Sequence, residues 1–113
     1  MVYEQGDIIE VNFDPTKGHE QAKTRPALVV STYQFNRCNS MTIVCPISWR
    51  MKPFFLHEPL PDNADADGCV IMEQVRAIDL DSRPSRKIGH LDADSLRHIL
   101  TCIRSFFDED PAE

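Results

Sequence analysis

Short runs of apolar residues at alternate positions account for much of the chain. In DIIEVNF (7–13) the side chains of Ile9, Val11 and Phe13 share one face, with polar residues between them, and a period of two is typical of a β-strand. Ile8 interrupts the alternation, which favours a strand that is partly buried on both faces. Similar runs predict further strands at 27–31, 41–48, 53–58 and 86–91, and one or two more within 69–80.

Breaks between and within these strands can also be predicted. The sequence DPTKG (14–18) has the residues of a turn. The strand at 41–48 contains Pro46, and proline in a sheet is restricted to edges, bulges and strand ends because it cannot donate a backbone hydrogen bond. We therefore expect an edge position, a bulge or a strand end at Pro46, and a break between strands near Glu73 and Gln74.

One segment has a helical period instead. After Leu91, apolar residues recur at three- and four-residue intervals, and Asp92 or Asp94 is suited to cap the first turn. The apolar stripe consists of Leu96, Ile99, Leu100, Ile103, Phe106 and Phe107. Many short strands followed by one late helix predict a mainly β fold with a C-terminal α-helix, packed on a small β-barrel or a strongly curved sheet.

Length and composition are those of one globular domain. The chain has 113 residues, of which 42% are hydrophobic and 27% charged, and a chain of this size can bury a sufficient core without disulfides. No linker or repeat divides it, so we expect a single domain over 1–113. No apolar run approaches the roughly 20 residues that span a bilayer, and the N-terminus lacks the pattern of a secretory signal. The expected location is the cytoplasm, without membrane association.

Charge is unevenly distributed along the chain. Residues 1–60 contain six Lys or Arg and six Asp or Glu, whereas 61–113 contain six basic and twelve acidic residues, which accounts for the net charge of −6. An acidic chain is poorly suited to nonspecific duplex binding, because that affinity comes from many phosphate contacts. A short single strand held at a local basic site stays compatible with this composition.

Cysteine and histidine residues show no metal-binding spacing. The four cysteines, at 38, 45, 69 and 102, form no C-x-x-C pair, and the four histidines form no H-x-x-x-H set. Cys45 and Cys69 lie in apolar runs, where burial as small hydrophobic residues is expected. We therefore expect neither a metal ion nor a cofactor.

The segment GHEQAKTRPALVVS (18–31) places charge directly before a predicted buried strand. Arg25 precedes Pro26, which restricts its backbone to extended geometry, and a guanidinium is permanently charged and matches phosphate oxygens with a planar fork. Arg25 is thus suited to holding a phosphodiester. Alternatively, Glu20 and Arg25 pair across the loop, as many surface ions do. Other polar residues within reach of the same space are Lys17, His19 and Lys23.

A series of short motifs runs in order through the chain. A G-D strand, an F-D-P turn, G-x-E-Q and R-P-A-L-V-V-S lie within 6–31. They are followed by YQFN (33–36), MTIVCPIS (41–48), VIMEQVRAIDL (70–80) and KIGHLDADSL (87–96). This pattern, which covers nearly the whole chain, resembles that of the MazF/PemK family of bacterial toxins. Its most specific part is the E-Q…R-P segment.

The resemblance implies a small SH3-like β-barrel, usually a homodimer, that cleaves single-stranded RNA at short sequences without a metal ion. The family's conserved arginine matches Arg25 and its loop glutamate matches Glu20. Its catalytic threonine falls on Ser48, where the hydroxyl is kept but the lost methyl group leaves the rotamer less restricted. The residues expected to bind RNA are Lys17, His19, Gln21, Lys23, Trp49 and Gln74.

The reaction that the resemblance implies is attack of the ribose 2′-hydroxyl on its own phosphate, which leaves a cyclic phosphate and a 5′-hydroxyl. It needs a base, stabilisation of the anionic phosphorane and an acid for the leaving oxygen. Arg25 suits charge stabilisation, Glu20 is the better base by proton affinity, and Ser48 can donate a hydrogen bond to phosphate. His19 can serve as acid or base, and we rank it below Glu20.

Trp49 is the only tryptophan, and it directly follows Ser48 and precedes a basic cluster, Arg50 to Lys52. An aromatic side chain beside cations can stack on a nucleic acid base. It can equally pack in the barrel or in a dimer interface. The sequence leaves both interpretations open.

The resemblance also implies a protein partner, an antitoxin whose acidic, disordered C-terminal tail orders across the RNA site. Two other functions have to be weighed. A gyrase-poisoning toxin of the same barrel fold would act by binding alone, and a non-catalytic RNA-binding barrel would not turn over. Neither needs Glu20, Arg25 and Ser48 together, so the presence of all three favours the ribonuclease.

Overall fold

The computed structural model describes residues 2–13 and 24–112. The strands are β1 (Asp7–Asn12), β2 (Thr24–Val29), β3 (Met41–Ser48), β4 (His57–Pro59), β5 (Cys69–Ile71), β6 (Arg76–Asp79) and β7 (Ser85–His90). The helices are α1 (Tyr33–Cys38) and α2 (Ala93–Ser105), and a 3₁₀ turn spans Met72–Gln74. The mainly β architecture with a C-terminal helix is confirmed, as is the break between β5 and β6. The turn predicted at 14–18 lies outside the described residues.

The strands pair antiparallel in the order β4-β5-β3-β2-β1-β7, and β6 pairs with β3 beside β5. Within the described residues, β7 pairs with β1 alone, so the sheet is barrel-like without being closed. β3 is central, because three other strands pair with it. Any groove bounded by β3 is therefore held by most of the sheet.

β1 is buried on both faces, as the interrupted alternation predicts. Ile8 packs into one apolar cluster with Leu28 and Ile99, whereas Ile9 and Val11 pack into a second cluster on the other face. A strand sandwiched in this way has little freedom to slip, since a shift of one residue would exchange its two faces.

α2 covers the first of these clusters. Its N-cap is Asp92, whose carboxylate accepts a hydrogen bond from the Ser95 amide at 3.0 Å. Ile99 and Ile103 are the buried residues of the helix. Phe106 and Phe107 lie beyond its last residue and are exposed, so the apolar stripe is shorter than the spacing predicts.

Two parts of the fold differ from the sequence prediction. The strand expected at 53–58 is only His57–Pro59, because Phe54 and His57 exchange backbone hydrogen bonds around a tight turn. The helix α1 was not predicted; its signal is the N-cap Thr32, whose hydroxyl accepts from the Phe35 amide at 3.1 Å. Six residues are too few for a clear helical period.

Pro46 lies within β3 and not at a strand end or a bulge; what is irregular there is the pairing. It is paired with Ala27 of β2 on one side. On the other side it falls between Val44, the last residue paired with β6, and Ile47, the first paired with β5. The missing N–H is therefore placed where β3 changes partner.

The thiols agree with the prediction made for them. All four cysteines lie in the described residues and are free, with Cys45 and Cys69 buried. Burial, aided by the charge of Glu73, raises the pKa of Cys45 to about 12. Among residues 2–13 and 24–112 there is no cluster of three or more side chains able to hold a metal ion, and no helix there has the length and hydrophobicity to cross a membrane.

Asp7 connects the start of β1 to the end of β7. Its side chain is only 4% exposed and lies 2.8 Å from Nδ1 of His90 and 3.1 Å from Nζ of Lys87, while the Glu4 amide donates to it at 2.9 Å. Burial acts to raise the pKa of this carboxyl, but the hydrogen bonds and the lysine charge outweigh it and hold the pKa below its ordinary value.

We expect Asp7→Asn to flatten the acid side of the pH–stability curve. Because the pKa of Asp7 is lowered by folding, its stabilisation is present above about pH 4 and is lost as pH falls through the native pKa. At neutral pH the variant should lose about 1–3 kcal/mol, as hydrogen bonds to a charge are removed. Urea unfolding from pH 2.5 to 7 measures both, and Asp94→Asn on an exposed side chain is the control. Parallel curves for the parent and Asp7→Asn would contradict the assignment.

Candidate nucleic-acid groove

The groove arises where β2 and β3 separate. Their ladder contains three pairs and ends at Ala27 and Pro46. Before Ala27, β2 is paired with β1 alone, and after Pro46, β3 is paired with β5 alone. The position next to Ala27 is Pro26, and neither proline has an N–H to extend the ladder. The two strands therefore diverge and leave an open space between their facing edges.

The point at which β2 and β3 diverge, past Ala27 and Pro46, is called the fork. Arg25 and Ser48 lie on opposite sides of it. Each is two positions from the last pair, so the two would face each other if the β2–β3 register continued. Both line one groove of about 580 Å³. Its described lining consists of Phe13, Thr24, Arg25, Pro26, Pro46, Ile47, Ser48, Trp49, Arg50, Met51, Ile71 and Gln74. The structure thus brings together four of the site residues expected from the sequence: Arg25, Ser48, Trp49 and Gln74.

The charge of the groove is opposite to that of the chain. Its described lining residues include two arginines, Arg25 and Arg50, and no carboxylate, whereas the whole chain has a net charge of −6. Arg25 is exposed, and its Nη1 donates to the Thr24 carbonyl at 3.0 Å. An exposed guanidinium on a strand is suited to an anion with several oxygens.

The hydroxyl of Ser48 is oriented by its neighbours. Its Oγ accepts a hydrogen bond from the Arg50 amide at 3.2 Å, which leaves the hydroxyl hydrogen available to a ligand. Behind it, Gly68 has a φ of +115° and packs directly against the Ser48 carbonyl. Any Cβ at position 68 would lie 2.3 Å from that oxygen, so only glycine permits this approach.

Trp49 and Arg50 form the outer edge of the groove. The Trp49 side chain is 72% exposed, and the guanidinium carbon of Arg50 is 5.1 Å from its ring centroid. Packing of Trp49 in the barrel interior is therefore excluded. An exposed indole with a cation on one face keeps a surface for stacking.

Phe13 is a lining residue that the sequence did not identify. The guanidinium of Arg76 stacks over its ring at 4.5 Å, and Nη2 of Arg76 lies 3.5 Å from its carbonyl oxygen. Thr24, Pro26 and Ile71 were also missed. Their inclusion depends on the β2–β3 and β3–β5 pairings, which no local sequence signal gives.

The other expected site residues lie outside the described part of the chain. They are Lys17, His19, Glu20, Gln21 and Lys23. The described residues on either side of this segment, Phe13 and Thr24, both line the groove. Whether Glu20 pairs with Arg25 stays a prediction.

Comparison with known proteins identifies the family. A family model described as PemK-like, MazF-like toxin of type II toxin–antitoxin system matches residues 4–107. The chain is 43% identical over 94 residues to the endoribonuclease toxin ChpB of Escherichia coli strain K12, covering 77% of this chain and 78% of ChpB. It is 36% identical over 100 residues to the endoribonuclease toxin MazF of the same strain, covering 87% of each.

A solved structure agrees with these relatives. MazF of Deinococcus radiodurans superposes with a TM-score of 0.81 and 30% sequence identity, over 94% of this chain and 96% of that one. The chain therefore belongs to the PemK-like, MazF-like toxins of type II toxin–antitoxin systems. The predicted SH3-like barrel with a C-terminal helix is confirmed by this likeness.

We expect Gly68→Ala to damage the groove through the backbone. Alanine at a φ of +115° is strained, and its Cβ would displace the Ser48 carbonyl, so the free energy of unfolding should fall by about 1–3 kcal/mol. Urea unfolding measures this loss. The neighbouring Asp67→Ala, on an exposed side chain, should stay within about 0.5 kcal/mol of the parent. Equal unfolding midpoints for the two variants would refute the contact.

Proposed function

We propose that this chain is a metal-independent endoribonuclease that cleaves single-stranded mRNA, as the toxin of a type II toxin–antitoxin pair. The observation that carries the proposal is the placement of Arg25 and Ser48 on opposite sides of the fork of β2 and β3, where both line one cationic groove. The family and the endoribonuclease names of ChpB and MazF support the same activity.

The chemistry follows from these residue types. The ribose 2′-hydroxyl attacks the adjacent phosphorus, and the bond from phosphorus to the 5′-oxygen breaks, giving a 2′,3′-cyclic phosphate and a 5′-hydroxyl. Arg25 stabilises the charge that develops on the phosphorane, and Ser48 donates a hydrogen bond to a non-bridging oxygen. Such donors act without reorganising during the reaction.

We assign the base to the segment 14–23. The residues that flank it, Phe13 and Thr24, line the groove, which supports assigning the base to this segment. Glu20 takes the 2′-hydroxyl proton, and His19 is the second candidate for acid–base work. Lys17, Gln21 and Lys23 would contact the RNA backbone.

RNA specificity is assigned to the far edge of the groove. Trp49 offers an exposed face on which an unstacked base can lie, and Gln74 offers an amide for base edges. Single-stranded RNA is usually read in this way, by stacking and edge hydrogen bonds. Arg50 adds a second cation for phosphate.

The same groove is proposed to bind the antitoxin. The acidic, disordered C-terminal tail of the antitoxin would take the place of RNA at the two groove arginines and would become ordered as it binds. The protein is proposed to act as one domain over residues 1–113, as a homodimer, and in the cytoplasm, where mRNA is present.

We expect Arg25→Ala to abolish cleavage without unfolding the protein. Loss of one electrostatic donor to a phosphorane should lower kcat/KM by about a hundredfold or more, and the exposed side chain leaves the core unchanged. Mixed-sequence RNA is incubated with protein in EDTA and the ends are sequenced. Recurrent cuts with 5′-hydroxyl ends are the expected result for the parent.

The matched control for this experiment is Arg97→Ala. Arg97 is an exposed arginine on α2 that pairs with Asp94 and does not line the groove, so cleavage should be unchanged. Native cleavage by Arg25→Ala would overturn the site assignment. Intact RNA together with trapped gyrase complexes would support a gyrase poison instead, and RNA binding without cuts would support a non-catalytic barrel.

Ser48 permits a finer test with two substitutions. Ser48→Ala removes the donor and should lower kcat/KM by about a hundredfold or more. Ser48→Thr keeps the hydroxyl and adds the methyl group of the family's residue; because the Arg50 amide already orients Oγ, the rate should change by less than about threefold. Single-turnover cleavage measures both. Equal rates for the alanine and threonine variants would remove Ser48 from the reaction.

A further inference from the structure

His57, the first residue of β4, connects two walls of the groove without lining it. Its side chain is 10% exposed. Nε2 of the ring lies 2.9 Å from Oε2 of Glu73, and Nδ1 lies 3.3 Å from the carbonyl oxygen of Lys52. Glu73 precedes Gln74 in the 3₁₀ turn, and Lys52 follows Met51 in the loop after β3. Each contact therefore reaches a neighbour of a groove residue.

His57 also closes the loop after β3 through its backbone. Its amide donates to the Phe54 carbonyl at 2.9 Å, and the Phe54 amide donates back at 3.4 Å. The Phe54 ring packs edge-on against the imidazole, with centroids 4.1 Å apart. The loop that presents Trp49, Arg50 and Met51 is thus fixed at its base to His57.

Both partners of the imidazole are hydrogen-bond acceptors. A backbone carbonyl and a carboxylate have no hydrogen to donate, and a neutral imidazole donates from only one nitrogen. With a neutral ring, the other nitrogen would direct its lone pair at an oxygen of Glu73 or of Lys52. The imidazolium donates to both, so the two contacts together fit the charged ring.

The charged group in direct contact with the ring is a carboxylate. The other ionisable side chains of β3, the loop after it, β4, β5 and the 3₁₀ turn are Cys45, Arg50, Lys52, Glu58, Cys69 and Glu73. Burial raises the pKa of the Cys45 and Cys69 thiols, which keeps them neutral. Glu58 pairs with His98 at 3.0 Å. Among the described residues, the carboxylate in contact with His57 is therefore that of Glu73.

We propose that His57, as the imidazolium, is a positioning residue that holds the Trp49–Met51 wall and the Gln74 wall in the arrangement that binds RNA. The proposal rests on the proposed function of the groove. Loss of the ring proton at rising pH removes one of the two hydrogen bonds and releases one wall. RNA binding supported by His57 is therefore complete at low pH and weakens as pH rises, and KM changes because His57 does not touch the reacting atoms.

Two substitutions separate this role from a merely structural one. In Glu73→Gln the amide can donate to Nε2 of a neutral ring while Nδ1–H still donates to the Lys52 carbonyl, so both links persist at every pH. In His57→Gln only one partner can be reached at any pH. His98→Gln, which alters an exposed histidine on α2 that also pairs with a glutamate, is the matched control.

The first measurement is KM and kcat for RNA from about pH 5.5 to 8.5, the range in which histidine ordinarily titrates. We expect the parent KM to rise about threefold to tenfold across this range. Relative to the parent, Glu73→Gln should show no such rise, and His57→Gln should show the high KM throughout. His98→Gln should follow the parent.

The second measurement needs no RNA. Trp49 is the only tryptophan, so the NMR signal of its indole N–H reports on the loop alone. It should shift as the His57 ring titrates in the parent, and stay in place in Glu73→Gln. The same spectra show whether each variant is folded.

The outcomes distinguish the two proposals. If RNA is cut but the parent and Glu73→Gln share one KM profile, the role of His57 is wrong and the ribonuclease stands. If no RNA is cut but Trp49 follows His57 only in the parent, the ribonuclease is wrong and the link between the two walls stands. If the indole N–H signal of Trp49 in the parent does not shift with the titration of His57, the link between the two walls is wrong.

Discussion

The candidate site depends on the point at which β2 and β3 stop pairing. β2 and β3 are paired from Val29 and Val44 to Ala27 and Pro46, and past this last pair the facing edges of the two strands carry no mutual hydrogen bonds. Two residues without an N–H, Pro26 and Pro46, stand at the fork. Past the fork β2 stays paired with β1 and β3 with β5, so the groove is open while the two strands that bound it are held on their outer sides. A flexible loop would hold a guanidinium and a hydroxyl on opposite sides of a groove less well.

The groove at the fork is cationic, although the chain as a whole is acidic. The groove lining described here carries Arg25 and Arg50, while the acidic excess of the chain lies entirely after residue 60. A polyanion is attracted to a local cationic groove and repelled by the rest of such a surface, which favours a short single strand over a duplex that needs contacts along its length. The same distribution suits an acidic peptide as a competitor for the groove.

The sequence predicted the parts of this fold that depend on local signals. The alternation in β1 and an aspartate N-cap for α2, expected at Asp92 or Asp94, each reflect the preference of a few neighbouring residues, and each was confirmed. Arg25 could be recognised because proline follows it and the family pattern matches. The contacts of Phe13 with Arg76 and of His57 with Glu73 join residues 63 and 16 positions apart, so they depend on pairing and packing that no local pattern encodes. The strand predicted at 53–58 was wrong in its bounds for the same reason, because a turn closed by His57 shortens the strand.

The serine at position 48 shows how the surrounding structure can offset a change within a site. Threonine restricts its own hydroxyl through the β-methyl group, and serine lacks that restriction. Here the Arg50 amide donates to the Ser48 Oγ, and Gly68 leaves free the space beside the Ser48 carbonyl that a Cβ would occupy. The orientation that a threonine obtains from its own side chain is thus supplied to this serine by the backbone amide of Arg50. The geometry of the hydroxyl is a property of β3, the loop after it and the start of β5 together, and a single residue type is a poor guide to whether the site can act.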